Sequence, residues 1–229
     1  MIKEAYHFIH YGPRVQKRRN QMEPVEFRKY VVERQDADGY RKLRLSLIED
    51  LEGDILEIGA GTGATFRYYG HKAKVTATEP HDELRVAARG EAENASATVE
   101  VFQGEGENIS FEDAAFDVVV ASMVLCSVRF PAKVLGELKR VLRPGGQIRL
   151  LEHVRSEHWL AGPMMDVLNP AWLRINRLGC NCNRRTVDEV KAAGFVICSV
   201  ESYKIFSEVT PPTFPLRIIK GKLPDRSVR

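Results

Sequence analysis

The chain has 229 residues, of which 44% are hydrophobic and 28% charged, a formal net charge of +3 and four cysteines. This balance suits one folded α/β domain with a sizeable core and excludes a disordered chain. The small charge argues against a nucleic-acid binder with a domain-wide basic surface, and the sparse cysteines point to a reducing, cytoplasmic setting rather than a disulfide scaffold. The first residues alternate polar and aromatic side chains, so no secretory signal is expected. The longest apolar run, Val118 to Val128, is broken by Ser122 and Ser127 and falls short of the roughly 20 residues that span a bilayer.

In chain order, the N-terminal segment carries an aromatic run, Tyr6 to Tyr11, bracketed by His7 and His10 and followed by Arg14, Lys17, Arg18 and Arg19. Positive charge beside apolar rings leaves two roles open, a lid over an active site with Tyr11 on the acceptor pocket, or peripheral contact with an anionic membrane. A helix is expected from Asp38 to Leu51, with Leu43, Leu47 and Leu51 on one face. Residues 1–52 thus read as an N-terminal helical lid and 53–229 as the core of one single domain.

The core opens with "DILEIGAGTGATFRYYG", residues 54–70. Its pattern predicts a buried strand, a turn and a helix over Ala64 to Tyr69. Strands follow at Val75–Glu79, Thr98–Phe102, Phe116–Ser122 and Gly146–Val154, with helices at Glu83–Gly90 and Pro131–Leu142 between them. Thr186-Val187-Asp188-Glu189 has the form of a capping box opening a helix that stops at Gly194. Phe195–Tyr203 and Phe214–Lys220 close the chain as strands. This alternation predicts a Rossmann-like, seven-stranded, mostly parallel sheet with helices on both faces and an antiparallel last strand. Ligands of such sheets sit beyond the carboxyl ends of the strands.

Four strand ends carry candidate chemistry. Glu57 precedes Gly59-Ala60-Gly61-Thr62-Gly63, where missing side chains admit a ligand to the backbone. Glu79 ends the next strand, sixteen residues past Gly63, a position suited to accepting from both hydroxyls of a ribose. In "FQGEGENISF", Glu105 can accept from an exocyclic amine and Gly106 leaves its N–H free for a ring nitrogen. "VVASMVLCSV" runs into Ser122 and Met123. The glycine spacing departs from the dinucleotide pattern, and an acid at Glu57 repels phosphate but welcomes an ammonium. A ligand with an adenosine, an amino group and no phosphate fits, and S-adenosylmethionine is such a molecule.

"ILEIGAGTG", the acid of "TEP", "GEGENISFEDAAFDVVV" and "LKRVLRPGGQIRLLEHV" together resemble the successive motifs of class I S-adenosylmethionine-dependent methyltransferases. "VLCSV", "EHV", "NPAW" and "GCNCNRRT" are similar to a narrower group, that of the alkyl-thiol methyltransferases and their bacterial relatives. The mammalian members of that group begin with a hydrophobic anchor, where this chain has a basic, aromatic segment. The resemblance implies S-adenosylmethionine as cofactor, S-adenosylhomocysteine as product and a small, lipophilic acceptor, with thiol S-methylation favoured. It implies a cofactor site of Glu57, Gly59, Ala60, Gly61, Gly63, Glu79, Pro80, Glu105, Gly106, Ser122 and Met123. A phospholipid or quinone-precursor methyltransferase is the same-chemistry alternative, and a cofactor-binding protein without methyl-transfer turnover is the alternative of another class. No tetrapeptide suited to gripping a flipped base is present, so nucleic acid is not an expected partner.

Methyl transfer from a sulfonium is an in-line displacement that asks mainly for positioning and desolvation. His153, beside Glu152 after the fifth long strand, is the candidate general base; a histidine held structurally by its neighbours is the alternative. Residues 155–185 form an acceptor-side insertion whose Trp159, Met164 and Trp172 are pocket candidates, a helix capping the sheet being the plainer reading. Cys180 and Cys182 form a C-x-C pair without a second pair at ligand spacing, so no metal is expected. Arg184 and Arg185 face either an anionic acceptor or solvent.

Overall fold

The computed structural model describes residues 22–37, 39–176, 178–205 and 214–224. The aromatic and basic run of residues 6–19, including Tyr11, lies outside them. Helices α1 (Pro24–Ala37) and α2 (Tyr40–Ile48) precede strand β1 (Gly53–Ile58). There follow β2 (Ala73–Thr78), α3 (Asp82–Ala92), β3 (Thr98–Phe102), β4 (Phe116–Ser122), α4 (Pro131–Val141) and β5 (Leu142–His153). The chain continues through α5 (Ala161–Ile175), α6 (Thr186–Ala192), β6 (Val196–Tyr203) and β7 (Leu216–Lys222).

The seven strands form one sheet in the order β3-β2-β1-β4-β5-β7-β6. The first five run parallel, and β7 is antiparallel to both β5 and β6. After β3 the chain returns past β1 to lay down β4, so the order reverses between β1 and β4. Ile58 pairs with Ala121 there, and a crevice opens beyond the carboxyl ends of the two strands.

The apolar runs sort by alternation onto two faces, as strands buried on both sides require. Ile55, Val118, Val120 and Leu151 face the α2 side, where Tyr40, Leu43, Leu47 and Ile48 cover them. Leu56, Val119, Ala121 and Leu150 face the other side, under Leu135 and Leu138 of α4 and Val190 of α6. Each large apolar side chain so buried stabilises the fold by about 1.5–3 kcal/mol. The expected Leu43, Leu47, Leu51 stripe is buried as its spacing implies.

Two local expectations need correction. Ala64 to Tyr69 is not an α-helix but a series of turns with a short 3-10 segment, Phe66–Tyr68. The side chains of Thr65 and Tyr69 are drawn inward to hydrogen-bond Glu57, and Tyr69 is extended, so the helix cannot propagate. The capping box does not form either. Arg185 precedes α6, its carbonyl accepts from the Glu189 N–H, and Thr186 is already inside the helix. Thr186 Oγ1 and Glu189 Oε2 are buried without a hydrogen-bond partner among the described residues.

Candidate active site

A cavity of about 120 Å³ occupies the crevice at the β1 and β4 ends. Glu57, Gly59, Ala60, Gly61, Ser122, Met123 and His153 all line it, together with Arg28, Val31 and Gln35 of α1, and Cys126 and Cys180. The α1 residues carried no motif; the signal was the four-residue spacing of Phe27, Val31 and Gln35, which are all buried.

Glu57 is buried at the end of β1 and accepts from the hydroxyls of Thr65 and Tyr69, the latter at 2.8 Å. Burial pushes its carboxyl up to about 7, against the pull of those two hydrogen bonds and of the Arg44 charge. Arg44 is itself buried and donates to Gln35 and Asp36, which ties α2 to the end of α1.

Gly59 has φ +62, and a Cβ there would stand 2.7 Å from Val124 Cγ2. Gly61, at φ +59, has open space where a Cβ would be. Both conformations are those only glycine adopts without strain, and both residues line the cavity. The Gly61 N–H donates to Glu79 Oε2 at 2.9 Å, and the His81 N–H donates to Oε1 at 3.1 Å. Two backbone donors therefore fix the buried Glu79 carboxylate at the end of β2. Arg28 lies across from it; burial lowers its guanidinium pKa while the Glu79 charge raises it. Pro80 lines an adjoining groove with Phe27 and Arg28.

The remaining expected positions stand further out. Gly63 packs beneath Phe66 and Glu91. The Glu105 side chain is exposed, and Gly106 is half-buried against Val134 and Ile58. Trp159 and Met164 are exposed on α5 and the loop before it, at 76% and 53%, and do not line the cavity. Trp172 instead packs edge-on against Phe214, with its Nε1 donating to the Cys180 carbonyl. Arg184 donates to the Val128 carbonyl at 2.6 Å, and Arg185 is exposed.

At the β4 end, Met123 has φ +63, a strained conformation costing about 1–3 kcal/mol for a non-glycine residue. Its surroundings hold it there. Its N–H donates to the Leu151 carbonyl, and Glu152 accepts from the next three N–H groups, those of Val124, Leu125 and Cys126. Burial pushes the Glu152 carboxyl well above the usual carboxylate range, the neighbouring Cys126 adds to that, and the three N–H bonds pull back. Glu152 therefore faces the turn rather than its neighbour His153. The buried imidazole sits between Tyr40 Oη, 3.3 Å from Nε2, and Cys180 Sγ, 3.2 Å from Nδ1.

Comparison with known proteins settles the family. The chain is 36% identical over 181 residues to the thiol S-methyltransferase TMT1B of Rattus norvegicus, a match covering 72% of this chain and 74% of that protein. It is 37% identical over 150 residues to the human thiol S-methyltransferase TMT1A, covering 62% of this chain and 59% of that one. The chain belongs to the S-adenosylmethionine-dependent methyltransferases of the thiol S-methyltransferase group. Residues 56–150 match the methyltransferase domain family. Among solved structures, a methyltransferase of Bacillus halodurans superposes with a TM-score of 0.66 at 18% identity, over 81% of this chain and all of that one.

The donor of this methyltransferase family is S-adenosylmethionine, and its acceptor a small molecule. The residues present fit the donor. The open backbone at Gly61 adjoins two buried acids, Glu57 and Glu79, at adjacent strand ends. No helix among the described residues is long and apolar enough to cross a membrane.

Proposed function

We propose that this methyltransferase S-methylates a small lipophilic thiol, with the cofactor lying across the β1 and β2 ends and the acceptor entering from the β4–β5 side. The observation that carries the reading is one shared cavity, lined by Glu57, Gly59 and Gly61 and also by Cys126, His153 and Cys180. The thiol class follows the names of the relatives. When bound, S-adenosylmethionine supplies an electrophilic methyl on a sulfonium.

On this reading Glu57 receives the ammonium, and Glu79, held by two backbone N–H groups, receives the ribose hydroxyls. Gly106 and Glu105 offer donor and acceptor to the adenine edge. Met123 and Ser122 close the site from the β4 side. A thiol, with a pKa near 8.5, is partly ionised at neutral pH and needs little proton abstraction. His153 already has a partner at each ring nitrogen, so its part is to shape the acceptor wall rather than to serve as a free base. The cavity is smaller than the roughly 300–1,000 Å³ of ordinary ligand pockets. Helix α1, which covers it through Arg28, Val31 and Gln35, is on this account the lid that shifts to admit the cofactor.

The test is transfer of labelled methyl from S-adenosylmethionine to matched alkyl thiols, phenols and amines. Thioether products with thiols and little from the others are expected. Preferential labelling of an amine or a phenol would overturn the thiol assignment while leaving the family untouched.

A further inference from the structure

The sequence placed Cys180 with Cys182, but the fold separates their side chains. Cys182 Sγ turns to the Met165 carbonyl and Asn169. Cys180 instead joins two residues distant in sequence, Cys126 and His153, and the three candidate donor atoms lie within 4.8 Å of one another. All three residues are buried, and all three line the cavity that Glu57 and Gly61 also line.

We propose that Cys126, His153 and Cys180 bind a thiophilic divalent cation, zinc in the first instance, with a fourth coordination position open to the acceptor thiol. The second half of this rests on the thiol reading above; the metal site itself does not. Tetrahedral zinc with sulfur at about 2.3 Å and nitrogen at about 2.0–2.1 Å holds its ligand atoms about 3.5 Å apart. His153 Nδ1 and Cys180 Sγ are already 3.2 Å apart, so closing the triangle is a matter of side-chain rotation. Two thiolates and one imidazole are a soft donor set that selects zinc over magnesium or calcium. Two thiolates also cancel the charge of the ion, which a buried site requires.

The outer partners are those a metal-binding histidine has. With Nδ1 on the ion, the Nε2–H donates to Tyr40 Oη, which fixes tautomer and ring orientation. The two cysteine loops are stitched together. Asn181 donates to the Cys126 carbonyl from both its backbone N and its Nδ2, at 2.8 and 2.9 Å. Trp172 Nε1 and Asn176 Nδ2 donate to the Cys180 carbonyl. Glu152 pins the backbone of the Cys126 turn through three N–H groups. The cage is thus held by atoms other than the donors themselves.

Three protein ligands and one open position are the arrangement of catalytic rather than structural zinc. Metal uptake displaces one proton from each cysteine thiol. An acceptor thiol then binds as the thiolate, releasing its proton to solvent. A sulfur lone pair forms the new S–CH₃ bond, the donor's C–S bond breaks, and its electron pair stays on S-adenosylhomocysteine. The product thioether is neutral, binds zinc weakly and leaves.

The test is cobalt(II) titration of the chelator-treated full-length protein, followed by its visible and near-ultraviolet absorption. One equivalent should give tetrahedral d–d bands and thiolate-to-cobalt charge transfer, both erased by one equivalent of zinc. Cys126→Ser and Cys180→Ser should each abolish the charge transfer or weaken it at least tenfold, and Tyr40→Phe should lower zinc affinity by about 10–100-fold. Cys198→Ser, at an exposed site, should change nothing. Absence of these bands in the wild-type protein, a measurement needing no variant, would overturn the site, as would bands that survive in a Cys126→Ser/Cys180→Ser variant. Adding an alkyl thiol, but not the matching alcohol, should shift the d–d bands. Bands that ignore the thiol, with chelator-insensitive thiol methylation, would overturn the open position and leave the thiol reading standing. Thiol-responsive bands without any thiol methylation would do the reverse.

Discussion

The two ends of the cavity are built by different means. At the β1–β2 end, the groups come from Glu57 to Glu79, 23 positions of chain, and the backbone supplies much of the surface through Gly59 and Gly61. At the β4–β5 end, Cys126, His153 and Cys180 are separated by 27 residues each, and side chains supply the surface while hydrogen bonds from elsewhere hold the backbone. On the proposed reading the cofactor is met by a local motif, because backbone contacts of the kind Gly59 and Gly61 allow tolerate little change in spacing. On the same reading the acceptor wall is met by packing, which can be assembled from any elements the sheet brings together.

The largest expected effect probes the packed end. Glu152→Ala would leave the buried N–H groups of Val124, Leu125 and Cys126 without their acceptor, a loss of about 3–9 kcal/mol at 1–3 kcal/mol for each group. Urea unfolding measures it. A loss under about 1 kcal/mol would mean that the turn carrying Cys126 is held by other contacts.

At the motif end the comparable effect is one of pH. The Glu57 carboxyl sits at about 7 in the fold against an ordinary value of 4.5. A raised carboxyl binds its proton more tightly in the folded state than in the unfolded one. Its stabilising contribution is therefore full below pH 4.5 and is lost between there and about pH 7, by about 3 kcal/mol in all. Unfolding free energies across that window should show the decline in the wild type and a flatter profile in Glu57→Gln. If Glu57 receives the cofactor ammonium, S-adenosylhomocysteine binding near pH 6 should also release a proton. Calorimetry in buffers of different ionisation enthalpy reads that release directly, and proton-neutral binding would remove Glu57 from the ammonium site.

Glu79→Ala sharpens the same end at smaller scale. Losing a charge-assisted pair of hydrogen bonds should weaken S-adenosylhomocysteine binding by about 1.5–3 kcal/mol. Unchanged affinity would leave Glu79 as no more than a brace for the Gly61 N–H. The smallest effect falls on the acceptor side, at Trp159. At 76% exposure and away from the cavity, its replacement by serine should alter stability by no more than about 0.5 kcal/mol and leave turnover of a soluble thiol intact. A marked rise in KM would place the loop before α5 over the acceptor entrance.

The sequence alone determined the order and type of nearly every strand and helix of the sheet, because burial on both faces writes itself as valine- and isoleucine-rich runs between turn residues. It also picked out Glu57, Gly59 and Gly61, which line the cavity, because they stand together in one short run of chain. Local competition was beyond it. Nothing in "GATFRYY" says that Thr65 and Tyr69 will satisfy a buried Glu57 rather than continue a helix, and nothing in "TVDE" says that the helix will begin one residue too early for its cap. Tertiary structure decided the partners of His153 and of Cys180. Adjacency in sequence paired them with Glu152 and Cys182, but neighbours on a strand point to opposite faces, so Glu152 turns to the Val124–Cys126 backbone while His153 turns to Tyr40 and Cys180. Which cysteine meets which histidine depends on where separate strand ends and loops converge, and that is a property of the sheet order rather than of any stretch of chain.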